Sequence, residues 1–451
     1  MMPIGAQRAM RVLMVAYYFP PCRCWPTASA RAAGLAAGLR YRGWVSVVLT
    51  RANGCPCLEQ DRSDGMPAIV PAADVIRVGV RPSRLVRLRS ALTESSPRWI
   101  GPVRLTWRKM VTAALLLSER SDDWVSVAVS EGQRVIAERD LNVIWTTSGP
   151  YRSIVIGRRL RGVTGLPWIA DLRDSVSKRR DWAGGSVHGW MRWIQRWRRF
   201  PALRAAEAIS CVTPQEAAID AVNLRRPVHV IPSGFDEAEW RHLRKLTHGA
   251  RRDGSAFRVL YAGTLYPGLR EPDRFLDGVA RYVAQGGDPA TLRVTYLGPS
   301  GDVLVSAAER FGVRELIEDR GSVRPREARQ AMIEADLLLA IVSSNGESGV
   351  PGGKFYEYLA AGRPILAVPG TDEYVNGVLA STGAGRWASD PAEIASVLRL
   401  YVEGWRTGRT QRRPLEEVLD HSWSARAREL ADLLDAVTGS ARRPLAPTRR
   451  V

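Results

Sequence analysis

Short continuous apolar runs alternate with longer amphipathic stretches along most of this chain. Arg11-Val12-Leu13-Met14-Val15-Ala16-Tyr17-Tyr18 is rich in strand formers and is stopped by Phe19-Pro20-Pro21, the pattern of a strand buried on both faces. From Ala28 to Tyr41, Ala, Arg and Leu recur with helical spacing; Gly43 then precedes Val45-Ser46-Val47-Val48-Leu49-Thr50. Strand, loop, helix, glycine, strand is the βαβ unit of a parallel sheet. The alternation resumes at Val143-Ile144-Trp145-Thr146, a helix around 151 to 161 and Pro167-Trp168-Ile169-Ala170-Asp171. It returns again at Ala208-Ile209-Ser210-Cys211-Val212 and Val228-His229-Val230-Ile231-Pro232.

A polar stretch from about Glu237 to Ser255 reads as a separator, after which Phe257-Arg258-Val259-Leu260-Tyr261-Ala262-Gly263 opens a second series. That series continues through Leu292 to Gly298, Ala335 to Ala340 and Pro364 to Val368, with helices after Pro391 and Ser422. The expected fold is α/β: two Rossmann-like doubly wound domains, residues 1–240 and 241–437, facing a central cleft. A basic flexible tail, 438–451, follows. Open parallel sheets place ligands beyond the C-terminal ends of their strands, so the cleft is where chemistry is expected. The length of 451 residues exceeds one ordinary core, and 45% apolar residues can fill two.

Charge adds a partner class. Lys and Arg number 65 against 46 Asp and Glu, a formal +19, which attracts phosphate groups, nucleic acid or an acidic membrane surface. The five cysteines, at 22, 24, 55, 57 and 211, are odd in number and lack zinc-knuckle spacing, so they read as reduced cytosolic thiols with no metal. No cleavable signal or long uncharged span stands out in the sequence, so the expectation is a cytoplasmic protein, peripheral on a membrane at most.

Two segments carry candidate chemistry. Gly263-Thr264-Leu265-Tyr266-Pro267-Gly268-Leu269-Arg270 lies where a strand gives way to a helix. Gly263 and Thr264 let the backbone approach a pyrophosphate, and Arg270 can contact its oxygens bidentately. A tight βα connection without a ligand explains the same residues equally well. Farther on, Lys354 and Glu357 stand three apart on one helical face, between Gly352-Gly353 and Gly362-Arg363-Pro364. Lys354 suits a diphosphate, and the Glu357 carboxylate can accept both hydroxyls of a ribose. The plain alternative is a surface ion pair worth a few tenths of a kcal/mol.

Taken in order, Tyr17-Tyr18-Phe19-Pro20-Pro21, Gly149-Pro150, Pro167 to Asp174, Ile231-Pro232-Ser233-Gly234-Phe235-Asp236 and Lys354 to Pro364 resemble the retaining GT-B glycosyltransferases of family 4, the group 1 class. The resemblance spans Arg11 to about Val437. It implies a hexosyltransferase that takes its sugar from a nucleotide-diphosphate sugar held by the C-terminal domain and gives it to a hydroxyl acceptor held by the N-terminal one. It also implies no metal cofactor, Arg270 and Lys354 on the leaving diphosphate, and Glu357 on the ribose. Three positions depart from the family. The place eight before Glu357 is Gly349, with Glu347 nearby but out of register. Cys22-Arg23-Cys24-Trp25-Pro26-Thr27 occupies the loop where paired glycines are common, and Thr146-Thr147-Ser148 supplies no histidine.

Acceptor candidates are Ser148, Asp171, Arg173 and Asp174, which follow buried strands; a structural ion-pair cluster is the equal alternative for the charged three. Trp190, Trp193, Trp197 and Phe200 recur at helical spacing among Arg192, Arg196, Arg198 and Arg199. Such a helix fits an anionic membrane presenting a lipid-linked saccharide for bacterial envelope polysaccharide synthesis; a packed aromatic stripe, with a small soluble acceptor, is the other reading. Nucleic-acid binding would explain the charge and the aromatics but leaves the cleft motifs without a purpose.

Overall fold

The computed structural model describes residues 9–22, 25–52, 71, 74–79, 123–173, 200–247, 256–342, 351–409 and 412–439. Asp174, Glu347, Gly349, the Trp190 to Trp197 segment and the tail beyond Gly439 lie outside them.

The first sheet consists of β1 (Met10–Val15), β2 (Trp44–Arg51), β3 (Val75–Val78), β4 (Val143–Thr147), β5 (Trp168–Leu172), β6 (Ala208–Cys211) and β7 (His229–Val230). Its strands are parallel and ordered β3-β2-β1-β4-β5-β6-β7. The second consists of β8 (Phe257–Ala262), β9 (Leu292–Leu297), β10 (Ile317–Asp319), β11 (Leu337–Ile341), β12 (Ile365–Val368) and β13 (Gly385–Trp387), again parallel, ordered β10-β9-β8-β11-β12-β13. In both, strand order reverses beside the first strand, at β1/β4 and β8/β11, and such switch points open a crevice for ligands. The expected pair of doubly wound sheets is what forms.

Alternation explains the layers. In β1, Val12 and Met14 enter one apolar cluster while Leu13 and Val15 enter the opposite one, because successive side chains leave a strand on opposite faces. Each such fully buried side chain contributes about 1.5–3 kcal/mol of transfer free energy.

The chain passes between the two sheets twice, and the passages are joined. Phe235 bridges to Ser422, with Phe235 N donating to His421 O at 3.3 Å and Trp423 N donating to Phe235 O at 2.9 Å. A Cβ at Gly234 would sit 2.9 Å from His421 O, so the strands of this crossing approach too closely for a side chain there.

The region read as a polar separator begins with a helix. Glu237–Leu246 is a helix capped by Asp236, whose carboxylate accepts from Glu239 N at 2.8 Å. Its charged outer face suggested a linker, but Trp240 and Leu243, one turn apart, are buried in the core of the second sheet. The last helix, Trp423–Thr438, returns to the first sheet: Ala427, Leu430, Ala431, Leu433 and Leu434 join the cluster of Val12 and Met14.

Candidate functional site

Three features meet at the C-terminal edge of β8 and β11. The turn after β8 carries Gly263, Thr264 and Arg270, closed by Tyr266 N donating to Arg270 O at 3.2 Å and Arg270 N to Tyr266 O at 2.7 Å. The Gly353–Ala361 helix starts beside it: a Cβ at Gly352 would lie 3.6 Å from Arg270 Nη1 and 3.7 Å from Nη2. Gly352, its N-cap, offers no side-chain cap, so free N–H groups and the positive end of the helix dipole stand next to a guanidinium. That is a site for an anion. The Nε of Arg270 is buried and has no hydrogen-bond partner among the described residues.

Across the cleft the Pro26–Leu39 helix begins with the same lack of a side-chain cap. A Cβ at Gly353 would be 3.0 Å from Thr27 Cγ2, so the two helix starts are in contact and both dipoles end at the same place.

Glu357 sits one turn into the helix with only 17% of its side chain exposed. Lys354 Nζ reaches Oε2 at 2.7 Å, and Arg329 Nε reaches Oε1 at 3.0 Å; Arg329 Nη1 also holds Glu239 Oε1 at 2.6 Å. Burial pushes the Glu357 carboxyl up, but Lys354 and Arg329 outweigh it and hold it below the usual glutamate value. A carboxylate has about four lone-pair sites, so two remain for hydroxyl donors. Arg329 and Glu239 were not singled out by sequence: on a helix rich in charge nothing distinguishes the arginine that turns inward.

On the other wall, Asp171 is fully buried. Its Oδ2 accepts from Arg31 Nε at 2.9 Å and Thr147 Oγ1 at 2.8 Å, and its Oδ1 from Arg31 Nη2 at 2.7 Å and Ser210 Oγ at 2.8 Å. All four acceptor positions are taken, which corrects the acceptor role expected of it: Asp171 anchors the loops and has no lone pair left for a substrate. Arg31 gives two further donors to Ile231 O at 2.8 Å and Pro232 O at 2.9 Å, tying the interdomain crossing to the first sheet. A lone arginine within the Ala-rich stretch from Ala28 to Ala33 was the available signal. Ser148 is likewise engaged, its Oγ accepting from Arg173 N at 2.9 Å. Arg173 lies over Gly149, where a Cβ would be 2.3 Å from Nη2; φ there is +91°, so glycine serves both the turn and the contact.

Aromatic side chains cluster just after β1. Tyr17 stacks edge-on against Tyr18 and Trp124 at 4.9 Å each, and Tyr18 lies 6.1 Å from Trp25. Burial pushes the Tyr18 hydroxyl up to about 12, so it stays protonated. Among the described residues no group of His, Cys, Asp or Glu is arranged to hold a metal ion. Cys22 and Cys211 are buried, and Cys211 Sγ donates to Thr213 O at 3.2 Å, whereas Cys24, Cys55 and Cys57 lie outside the described residues.

No protein-family profile matches the chain, and no curated protein matches it. Solved structures do. The chain is similar to sucrose-phosphate synthase of Thermosynechococcus elongatus, with a TM-score of 0.60 and 14% identity over 96% of this chain and 100% of that one. A glycosyltransferase of Rickettsia africae superposes with a TM-score of 0.60 and 9% identity, covering 96% of this chain and 100% of that one. HepE of Anabaena, solved with UDP and glucose, gives 0.57 and 13%, covering 95% and 100%. The fold is the two-domain GT-B arrangement. The start of the Gly353–Ala361 helix thus stands beside Arg270 on one side and Thr27 on the other, one turn from the Lys354–Glu357–Arg329 group. No helix among the described residues is long and apolar enough to cross a membrane.

Proposed function

We propose that this protein is a glycosyltransferase that moves a hexose from a nucleotide-diphosphate sugar to a hydroxyl acceptor. The observation that carries the reading is the meeting of Arg270 with the uncapped start of the Gly353–Ala361 helix, one turn from Glu357. Similarity of fold to HepE, solved with UDP and glucose, supports a nucleotide sugar as donor.

The diphosphate lies between Arg270, Lys354 and the free N–H groups, and the ribose donates its hydroxyls to the two open lone pairs of Glu357. As the sugar–phosphate bond breaks, negative charge grows on the leaving diphosphate. Cations and N–H groups fixed in place beforehand stabilise that charge without reorganising, most effectively where the cleft excludes water. The sequence resemblance supports retention at the anomeric carbon, with the departing phosphate taking the proton of the acceptor on the same face. Ser148 and Arg173 remain the acceptor-side candidates, as does Asp174.

A lipid-linked saccharide of envelope polysaccharide synthesis, reached from the inner membrane face, is the acceptor class that the +19 charge and the Trp190 to Phe200 pattern favour. Sedimentation with anionic vesicles at physiological salt checks it; no binding with or without acceptor lipid points to a soluble acceptor.

A screen of nucleotide sugars against acceptors, with products identified by mass and linkage, tests the activity. Arg270→Ala should lower kcat/KM by about a hundredfold through lost charge stabilisation, and Glu357→Gln should weaken donor binding by about tenfold. Normal kinetics in folded Arg270→Ala, or unchanged donor affinity in Glu357→Gln, would remove that residue from the site.

A further inference from the structure

The turn that carries Gly263 and Thr264 is held from beneath by hydroxyl groups, one for each carbonyl. Tyr358 Oη lies 3.4 Å from Ala262 O, Tyr296 Oη donates to Gly263 O at 2.9 Å, Tyr261 Oη donates to Thr264 O at 3.2 Å, and Ser300 Oγ donates to Leu265 O at 3.3 Å. In a trans peptide the C=O of one residue and the N–H of the next point opposite ways. Holding the Gly263 and Thr264 carbonyls on the phenols therefore turns the N–H groups of Thr264 and Leu265 away from them. Neither N–H has a partner among the described residues, whereas Gly263 N donates to Leu297 O at 3.0 Å and Tyr266 N to Arg270 O.

Tyr358 does more than its neighbours because it comes from a different element. Pairing of β8 with β11 ends at Leu260, while pairing with β9 continues to Ala262. In the gap so opened, at the switch point of the sheet, the phenol of Tyr358 takes the place of a strand: Ala262 N donates to its Oη at 2.8 Å. Tyr358 follows Glu357 on the Gly353–Ala361 helix and is itself buried. One hydroxyl thus fixes the spacing between the turn bearing Arg270 and the helix bearing Lys354 and Glu357. Burial pushes the phenols of Tyr261, Tyr296 and Tyr358 up, so all three keep the proton they donate.

We propose that Tyr358, with Tyr296 and Tyr261, is a positioning residue that presets the Thr264 and Leu265 N–H groups, in register with the Gly353–Ala361 helix, to receive the diphosphate of a nucleotide. The proposal rests on the donor reading above and names the residues that give it its geometry. These tyrosines touch no substrate. They act through the backbone, so their loss shows in the diphosphate and not in the nucleoside.

The test is calorimetric titration of the full-length protein with UDP and GDP, and with UMP and GMP. Wild-type protein that binds neither diphosphate more tightly than its monophosphate ends the donor reading itself. If it does bind one, Tyr358→Phe and Tyr296→Phe should weaken that diphosphate by about tenfold, since misplacing a preset group by a fraction of an ångström has effects of that order. The corresponding monophosphate should stay within about twofold. Equal weakening of both nucleotides, or of neither, overturns the positioning role and leaves the donor reading standing. Should Tyr358→Phe fail to fold, Tyr261→Phe removes only a bond donated to the half-exposed turn, and the same ratio decides.

Discussion

At the scale of single residues, the buried ionic groups separate into anchors and reporters. Arg31 and Asp171 are both fully buried and neutralise each other through two short bonds. Asp171→Asn leaves the guanidinium without its counter-charge and should destabilise the protein by about 3–5 kcal/mol, read as a lowered urea midpoint at unchanged slope. His421 reports pH. Burial, with Arg426 adding to it and Asp420 opposing, brings its imidazole down to about 4 from 6.5, and its Nδ1 has no partner among the described residues. Between those values the unfolded chain holds the proton that the folded one refuses. The contribution of His421 is therefore complete above pH 6.5 and is lost as pH falls toward 4, by up to about 3 kcal/mol. Urea melts at pH 7 and pH 5 should diverge for wild type and converge for His421→Gln; equal divergence in both would assign the effect elsewhere.

At the scale of elements, close helix contact joins the chain's beginning to its end. A Cβ on Gly34 would stand 2.3 Å from Trp423 Cγ, and one on Gly38 would stand 2.5 Å from Ala427 Cβ and 3.1 Å from Trp423 O. The Pro26–Leu39 helix thus meets Trp423–Thr438 along its glycines. Gly38→Val must push against backbone and should cost about 1–3 kcal/mol, measured by chemical denaturation. A wild-type midpoint would mean that the last helix does not dock this way. Because the Pro26–Leu39 helix also carries Arg31 and starts opposite Gly353, its seating governs one lip of the cleft.

At the scale of the whole molecule, two crossings bonded to each other join the two sheets, and the Pro26–Leu39 and Gly353–Ala361 helix starts meet. Thr27 Cβ lies 3.6 Å from the Cβ position of Gly353, inside the range of about 3.5–4.5 Å that a disulfide spans. The double variant Thr27→Cys, Gly353→Cys should cross-link under oxidation and lose turnover, with reductant restoring it. A cross-linked protein that turns over at the reduced rate constant would show that substrates enter without the cleft opening.

Sequence by itself determined the sheets. The apolar runs Arg11 to Tyr18 and Phe257 to Gly263 cover most or all of the observed strands Met10–Val15 and Phe257–Ala262, because a strand covered on both faces is made mostly of apolar residues. It also nominated Gly263, Arg270, Lys354 and Glu357 as candidates, since glycines at strand ends and charges one turn apart are local patterns. The short strands β3, β10 and β13 and the Glu237–Leu246 helix were hidden, their local signals being too brief or too polar. Only the tertiary structure decided which charges meet. Arg329 reaches Glu357, Arg31 saturates Asp171, and Tyr358 crosses to Ala262; each joins residues from separate elements, and hydrogen bonds of that kind depend on distances that no periodicity encodes.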